Sequence, residues 1–177
     1  MTLLPTDREM FQQAWVVRDL EAAARRWSDT CGIGPFFVAN YTANRFAEVE
    51  YRGEPGELAM RTAICYAGNV QVELIEPAMD AGCCYRDTVP AGAEGFHHIC
   101  FWTHNLDADI AHYARQGCVV ANRARIKGGP RFAYVDATST LGCMIELLEH
   151  SEPLAALFGR WREQCSKWRG GELIVRL

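Results

Sequence analysis

Apolar residues along this chain follow two rhythms, a strand-like alternation and a helical repeat, and the two succeed each other twice in the same order. Gln12-Gln13-Ala14-Trp15-Val16-Val17-Arg18-Asp19-Leu20 and His98-Ile99-Cys100-Phe101-Trp102-Thr103-His104-Asn105-Leu106 are both apolar runs of strand character that end in a polar pair and a leucine. Leu20, Ala23, Ala24 and Trp27 then recur at helical spacing with Asp19 placed as N-cap, as do Leu106, Ile110 and Tyr113 with Asn105 as cap. Gly32 and Gly34 stop the first predicted helix and Gly117 stops the second.

The two halves also end alike. Val70-Gln71-Val72-Glu73-Leu74-Ile75-Glu76 aligns with Cys143-Met144-Ile145-Glu146-Leu147-Leu148-Glu149. Between helix and final strand, two short strands fit near 36–41 and 58–66 in the first half. In the second they fit near 118–123 and 131–136, with Lys127-Gly128-Gly129-Pro130 as the turn. Each half therefore reads β-α-β-β-β, over 8–78 and 96–150, and residues 1–150 form one domain of two modules. Neither module is long enough to be stable alone, and two sheets sharing a cleft is the economical arrangement. Residues 78–95 read as a loop. Ser151-Glu152-Pro153 reads as a helix start with proline in the first turn, and Leu154, Leu157, Phe158 and Trp161 make one apolar face. This C-terminal helical extension, 151–177, is expected to cover the cleft or to extend a dimer interface, the second being favoured.

Composition narrows the function classes. The 177 residues are 49% hydrophobic and 23% charged, which suits a folded domain and excludes disorder. Eighteen basic residues against 22 acidic ones, with no long run of either sign, give nucleic acid or an anionic membrane no electrostatic footprint. No apolar run is long enough to span a bilayer, and MTLLPTDREM lacks the pattern of a signal peptide, so a cytoplasmic protein is expected. Eight cysteines include no CxxC pair. Cys65, Cys100, Cys118 and Cys143 sit in apolar runs and are expected to be buried and reduced, whereas Cys83-Cys84 falls in the linker loop.

The repeat singles out four polar residues at equivalent points: Gln12 and His98 on the first strand of each half, Glu73 and Glu146 on the last. Taken one at a time, each has an ordinary explanation. Gln12 suits a solvated strand start, His98 a satisfied core histidine, and the glutamates the exposed face of an alternating strand. Together they point to a metal site, because buried carboxylates need partners and two facing one cleft repel each other. A divalent cation answers both, and this donor set suits zinc first, with nickel, cobalt, manganese or iron also compatible.

On FQQAWVVRDLEAAARRW, VQVELIEP, GFHHICFWTHNLD and GCMIELLE, the chain resembles the vicinal oxygen chelate superfamily over residues 10–150. That superfamily includes glyoxalase I, methylmalonyl-CoA epimerase, extradiol dioxygenases and bleomycin-resistance proteins. The resemblance implies an α+β fold in which two tandem βαβββ modules form a cupped eight-stranded mixed sheet around a divalent metal. It implies Gln12, Glu73, His98 and Glu146 as ligands. Gln12 stands where many members have His and where eukaryotic-type glyoxalase I has Gln, and Glu73 stands where the epimerases tend to have Gln. His98, the second of the His-His pair, matches the third ligand, and Glu146 matches the fourth, which also serves as a base. The ligand set is thus similar to that of zinc-type glyoxalase I, while the ELIEP and GFHHICFW segments look more like the epimerase branch.

The chemistry expected of such a site is proton abstraction next to a carbonyl with a metal-stabilised enolate, by an isomerase, epimerase or glyoxalase-like lyase. Glu146 is the first choice as base, with Glu73 as ligand and second base. Strand alternation puts Val16, Ile75, Cys100, Trp102, Met144 and Leu148 on the face of the four ligands as expected substrate contacts. They imply a small-molecule substrate with a hydrophobic part, a thioester among the candidates. Arg61, Arg131 and Tyr134 are candidates to bind a carboxylate or thioester tail. Two alternatives stand beside this reading: a metal-free, drug-sequestering binding protein of the same fold, and a ring-cleaving dioxygenase. The dioxygenase wants a second histidine on iron, which His97 could supply only through a change of strand register. A homodimer is expected.

Overall fold

The structure, a computed structural model, describes residues 8–177, so most of the segment read as lacking a leader lies outside the described residues. The first module runs β1 (Met10–Val16), α1 (Leu20–Cys31), β2 (Phe36–Tyr41), β3 (Phe46–Tyr51), β4 (Glu54–Pro55), β5 (Met60–Ala67) and β6 (Val70–Pro77). A short helix, α2 (Cys84–Thr88), stands in the linker. The second module runs β7 (Gly95–Thr103), α3 (Leu106–Ala114), β8 (Val119–Ile126), β9 (Arg131–Ala137), the four-residue helix α4 (Thr138–Leu141) and β10 (Cys143–Glu149). The chain ends in α5 (Glu152–Lys167) and β11 (Ile174–Arg176).

The caps expected from sequence form. Asp19 accepts a hydrogen bond from the Ala22 amide at 2.8 Å, and Asn105 accepts one from the Ala108 amide at 3.1 Å. Each satisfies one of the free N–H groups that open a helix. Gly32 closes α1 in the left-handed conformation at φ 69°, which a Cβ would strain.

One mixed sheet holds every strand among the described residues, in the order β11-β2-β5-β6-β1-β7-β10-β9-β8-β3-β4. Its central eight strands are the two modules, β2-β5-β6-β1 and β7-β10-β9-β8, joined where β1 runs antiparallel to β7. In each module the first strand pairs in parallel with the last, β1 with β6 and β7 with β10. The repeat in sequence is therefore a repeat in space about the β1–β7 seam.

Three short strands extend the expected eight. The β3–β4 hairpin belongs to the first module in sequence but pairs with β8 of the second. Arg52, at the hairpin turn with φ 50°, reaches Asp87 of α2 at 2.7 Å and Asp136 of β9 at 2.9 Å, so it ties the hairpin to linker and second module together. At the other edge β11 runs parallel to β2.

The cores divide by face. Leu20, Ala23 and Ala24 of α1 pack on Phe36, Ala63, Cys65 and Leu74, while Leu106 of α3 packs on Ala133, Val135, Ile145 and Leu147. Both helices thus lie on the outer face of the sheet. The inner face forms the third and largest cluster, into which both the linker and α5 fold. Burial of these apolar groups is the main favourable term. Linker residues 78–95, expected as plain loop, contribute buried Cys83, Cys84, Tyr85 and Val89 to it. Cys83-Cys84 is therefore inside the fold, and burial pushes both thiols up, away from reactive thiolate. Cys65, Cys100, Cys118 and Cys143 are buried free thiols, as the sequence indicates.

Helix α5 uses its apolar face within the chain. Phe158 lies beside Phe11 and Trp102, with ring centroids 6.1 and 5.9 Å away, and Trp161 stacks on Phe37 at 4.9 Å. Of the two roles expected for the extension, α5 takes the covering one, over the open side of this chain's own cup. Among the described residues no helix is long and apolar enough to cross a membrane.

Candidate metal centre

Register brings the four repeat-selected side chains together. Gln12 on β1 stands opposite Gln71 of β6 and Cys100 of β7, and His98 stands opposite Ala14 and Met144. Glu73 and Glu146 come from the neighbouring strands β6 and β10, on the same inner face. Glu73, His98 and Glu146 each present a ligand atom within 4.8 Å of the others, and all three are buried. His98 Nε2 is 3.0 Å from Glu146 Oε2, 3.7 Å from Glu73 Oε2 and 3.2 Å from Gln12 Oε1.

A β-bulge explains how two adjacent histidines both point inward. Ala14 pairs with His98 but Trp15 pairs with Phe96, so His97 is the extra residue on β7. Both imidazoles are fully buried. His97 Nε2 lies 3.1 Å from the Cys84 carbonyl, and a carbonyl can only accept, so this nitrogen carries the proton. Burial and the neighbouring His98 hold His97 well below the usual histidine range, and it stays neutral. Its Nδ1 is then an acceptor and takes the Nδ1–H of His98 at 2.9 Å. In neutral His98 that leaves the Nε2 lone pair facing three oxygen atoms.

Gln12 is oriented in the same way. Its amide nitrogen donates to Gln71 Oε1, and Gln71 in turn donates to the Tyr66 hydroxyl at 2.7 Å. The Gln12 carbonyl oxygen is thereby turned toward His98. Four lone-pair donors converge without a hydrogen between them unless a proton or metal ion supplies positive charge. Glu73 responds accordingly: burial first, and the Glu146 charge second, raise its carboxyl well above the carboxylate range. One nitrogen and several oxygens, oriented by a second layer of hydrogen bonds, fit a divalent ion of the zinc, manganese, cobalt or nickel type.

A cavity of about 490 Å³ opens from this cluster. Gln12, Glu73, Glu146, Tyr134 and Ile64, which stands opposite Glu73, line it beside the cluster, and Thr62, Met60, Phe132 and Leu148 continue the wall. Of the six expected substrate contacts, Leu148 lines the cavity. Val16, Ile75, Cys100 and Met144 are buried in the inner-face core, and Trp102 stacks on Phe11 at 4.3 Å beside other surface depressions. Alternation identifies the face correctly but not the depth, because the linker and α5 fill part of the cup. The wall residues that alternation missed lie on β2, β3, β5, β8, β9 and α5.

Arg61 and Arg131 are not at the site. Arg61 pairs with Glu21 and Glu76, and Arg131 pairs with Glu149 at 2.6 Å and Asp107 at 3.0 Å. Tyr134 is at the site, 5.1 Å from His98 ring to ring, with its hydroxyl 3.1 Å from that of Tyr85.

The Glyoxalase/Bleomycin resistance protein/Dioxygenase superfamily pattern matches residues 11–134. No curated protein matches the chain. Among solved structures, a hypothetical protein from Bacillus halodurans is similar at 15% identity and a TM-score of 0.60, over 83% of this chain and 97% of that one. A Streptomyces coelicolor methylmalonyl-CoA epimerase, solved with 2-nitronate-propionyl-CoA, is similar at 21% identity and a TM-score of 0.57, over 81% and 95%. A Mycobacterium tuberculosis methylmalonyl-CoA epimerase is similar at 20% identity and a TM-score of 0.53, over 83% and 91%.

Proposed function

Because the chain belongs to the glyoxalase/bleomycin resistance protein/dioxygenase superfamily, we propose that it is a divalent-metal-dependent enzyme that moves a proton next to a carbonyl, as an isomerase, epimerase or glyoxalase-type lyase. The observation that carries this reading is the buried Glu73–His98–Glu146 cluster, with the Gln12 carbonyl beside it. Gln12, Glu73, His98 and Glu146 would hold the ion, zinc being the first choice. When bound, the ion supplies a Lewis acid that makes a C–H beside a coordinated carbonyl acidic enough to remove.

The chain's own residues account for the rest. Glu146 is assigned the base: a carboxylate oxygen accepts the α-proton, and the electron pair of the broken C–H bond goes to the carbonyl side of the substrate. Glu73, within 4.8 Å of Glu146 across the cluster, is assigned the second proton-carrying group. Return of a proton to the same carbon on the other face is epimerisation, and return to the adjacent carbon is isomerisation. The apolar wall of Ile64, Phe132, Leu148 and Phe158 keeps water from quenching the carbanion.

The dioxygenase reading loses support from the bulge. His97 is turned to the Cys84 carbonyl and to His98 Nδ1, which leaves one imidazole for a metal where that chemistry wants two. The test is protein loaded with zinc, manganese, cobalt or nickel and incubated in deuterium oxide with glutathione hemithioacetals, acyl-CoA thioesters and neutral hydroxyketones. Metal-dependent deuterium incorporation at the α-carbon of one class is expected. Metal-loaded protein that exchanges none of them would remove the enzymatic reading in favour of a binding protein.

A further inference from the structure

The walls of the cavity divide by chemistry along its length. At the metal end Tyr134 stands opposite Glu146 and Ile64 opposite Glu73, with Gln12 beside them. The rest of the lining is mainly aliphatic and aromatic, with Met60, Phe132 and Leu148 of the sheet and Leu157, Phe158 and Trp161 of α5, and its polar members are Asn40, Tyr41 and Thr62 besides Arg45. The α5 contribution follows an i, i+3, i+4, i+7 stripe, so a single helix face forms one whole wall. That wall is anchored. Trp161 stacks on Phe37 with an interplanar angle of 8°, and Cys165 on the next turn lies 3.8 Å from Cys65 of β5, sulfur to sulfur.

Arg45, in the turn before β3, is the cation among the lining residues and is exposed. A ligand carrying several phosphates would need more positive charge along its path than one guanidinium. The cavity volume, about 490 Å³, falls in the range that holds a compact organic molecule.

We propose that α5 makes this site selective for a compact, uncharged lipophilic substrate, a hydroxyketone or dicarbonyl whose apolar body rests on Leu157, Phe158 and Trp161, in preference to an acyl-coenzyme A. The vicinal oxygens of such a substrate would face the Glu73–His98–Glu146 end. The inference rests on the proposed metal-dependent reading for that end, while the apolar wall stands independently of it. Helix α5 is then a specificity element: removing its apolar stripe opens the cup, and placing a charge in it excludes the substrate body.

The test uses the full chain and N-phenyl-1-naphthylamine, a neutral probe that fluoresces in apolar surroundings. Benzoin, a neutral two-ring hydroxyketone, and hexanoyl-coenzyme A are the competitors. The expected result is probe binding, displacement by benzoin, and displacement by the thioester only at concentrations about tenfold higher or more. Leu157→Lys is expected to weaken probe binding about tenfold or more through the buried ammonium, with zinc binding by calorimetry unchanged. Should that variant fail to fold, Leu157→Gln gives the same comparison at nearly constant volume. Equal or better displacement by hexanoyl-coenzyme A, or probe binding indifferent to both substitutions, would overturn the proposal. Zinc binding without probe binding defeats this inference alone, whereas probe binding without zinc binding defeats the metal-dependent reading and leaves the lipophilic site standing.

Discussion

The Nδ1 atoms of His97 and His98 lie 2.9 Å apart, and the proton between them belongs to His98. The Cys84 carbonyl fixes His97 Nε2 as a donor, so a backbone oxygen in the linker sets the tautomer of His98 through the His97 ring. This is the kind of outer hydrogen bonding that raises the basicity of a metal-binding histidine and fixes its ring.

Replacing His97 with Leu removes the acceptor for His98 Nδ1–H and the side-chain donor to the Cys84 carbonyl. Metal affinity is expected to fall about 10- to 100-fold, measured by calorimetry with zinc. His97→Asn, whose side-chain carbonyl can still accept, should retain more affinity than His97→Leu. Equal affinity in all three proteins would mean that the relay has no bearing on the ligand.

Glu146→Gln keeps an oxygen donor but no longer accepts a proton at neutral pH. Most metal is expected to remain, while deuterium exchange into the substrate falls by roughly 10²- to 10⁴-fold. His98→Ala is expected to lose the metal itself. Full exchange activity in Glu146→Gln would reassign the base to Glu73.

The raised Glu73 carboxyl has a consequence for metal-free protein. The folded state holds this proton above the ordinary value of 4.5, where the unfolded chain has released it. Stability therefore falls as pH rises from 4.5 toward the folded value, because the folded state binds the extra proton. Thermal melts of metal-free protein across this window should show a slope that Glu73→Gln flattens. An identical pH profile for the variant would show that Glu73 is ionised in the fold.

Asp19 and Asn105 cap the two equivalent helices through the same bond, to the amide three residues on. Asp19→Ala is expected to cost about 1 kcal/mol, read as a lowered midpoint in urea. The exchange Asp19→Asn should cost little, since asparagine caps α3 in the equivalent place.

These caps were readable in the sequence because capping is local, and the same holds for the strands that carry Gln12, Glu73, His98 and Glu146. What escaped depends on distant partners. The β3–β4 hairpin acquires its place from β8, more than seventy residues on, and β11 has three residues with no periodicity to read. The role of His97 depends on a bulge, and alternation by itself would turn one of two adjacent histidines outward. The substrate wall was misread for a related reason. The face is set by strand parity, but which of its residues reach open space depends on α5 and on Tyr85 of the linker, both packed into the cup.

Elemental mass spectrometry on protein purified without added metal or chelator decides whether Gln12, Glu73, His98 and Glu146 form one metal site. About one zinc, nickel, cobalt or manganese ion per chain is expected, directly or after titration, with its loss in His98→Ala. A wild-type chain that stays empty through titration, or a His98→Ala variant that holds the ion as tightly as wild type, would contradict it.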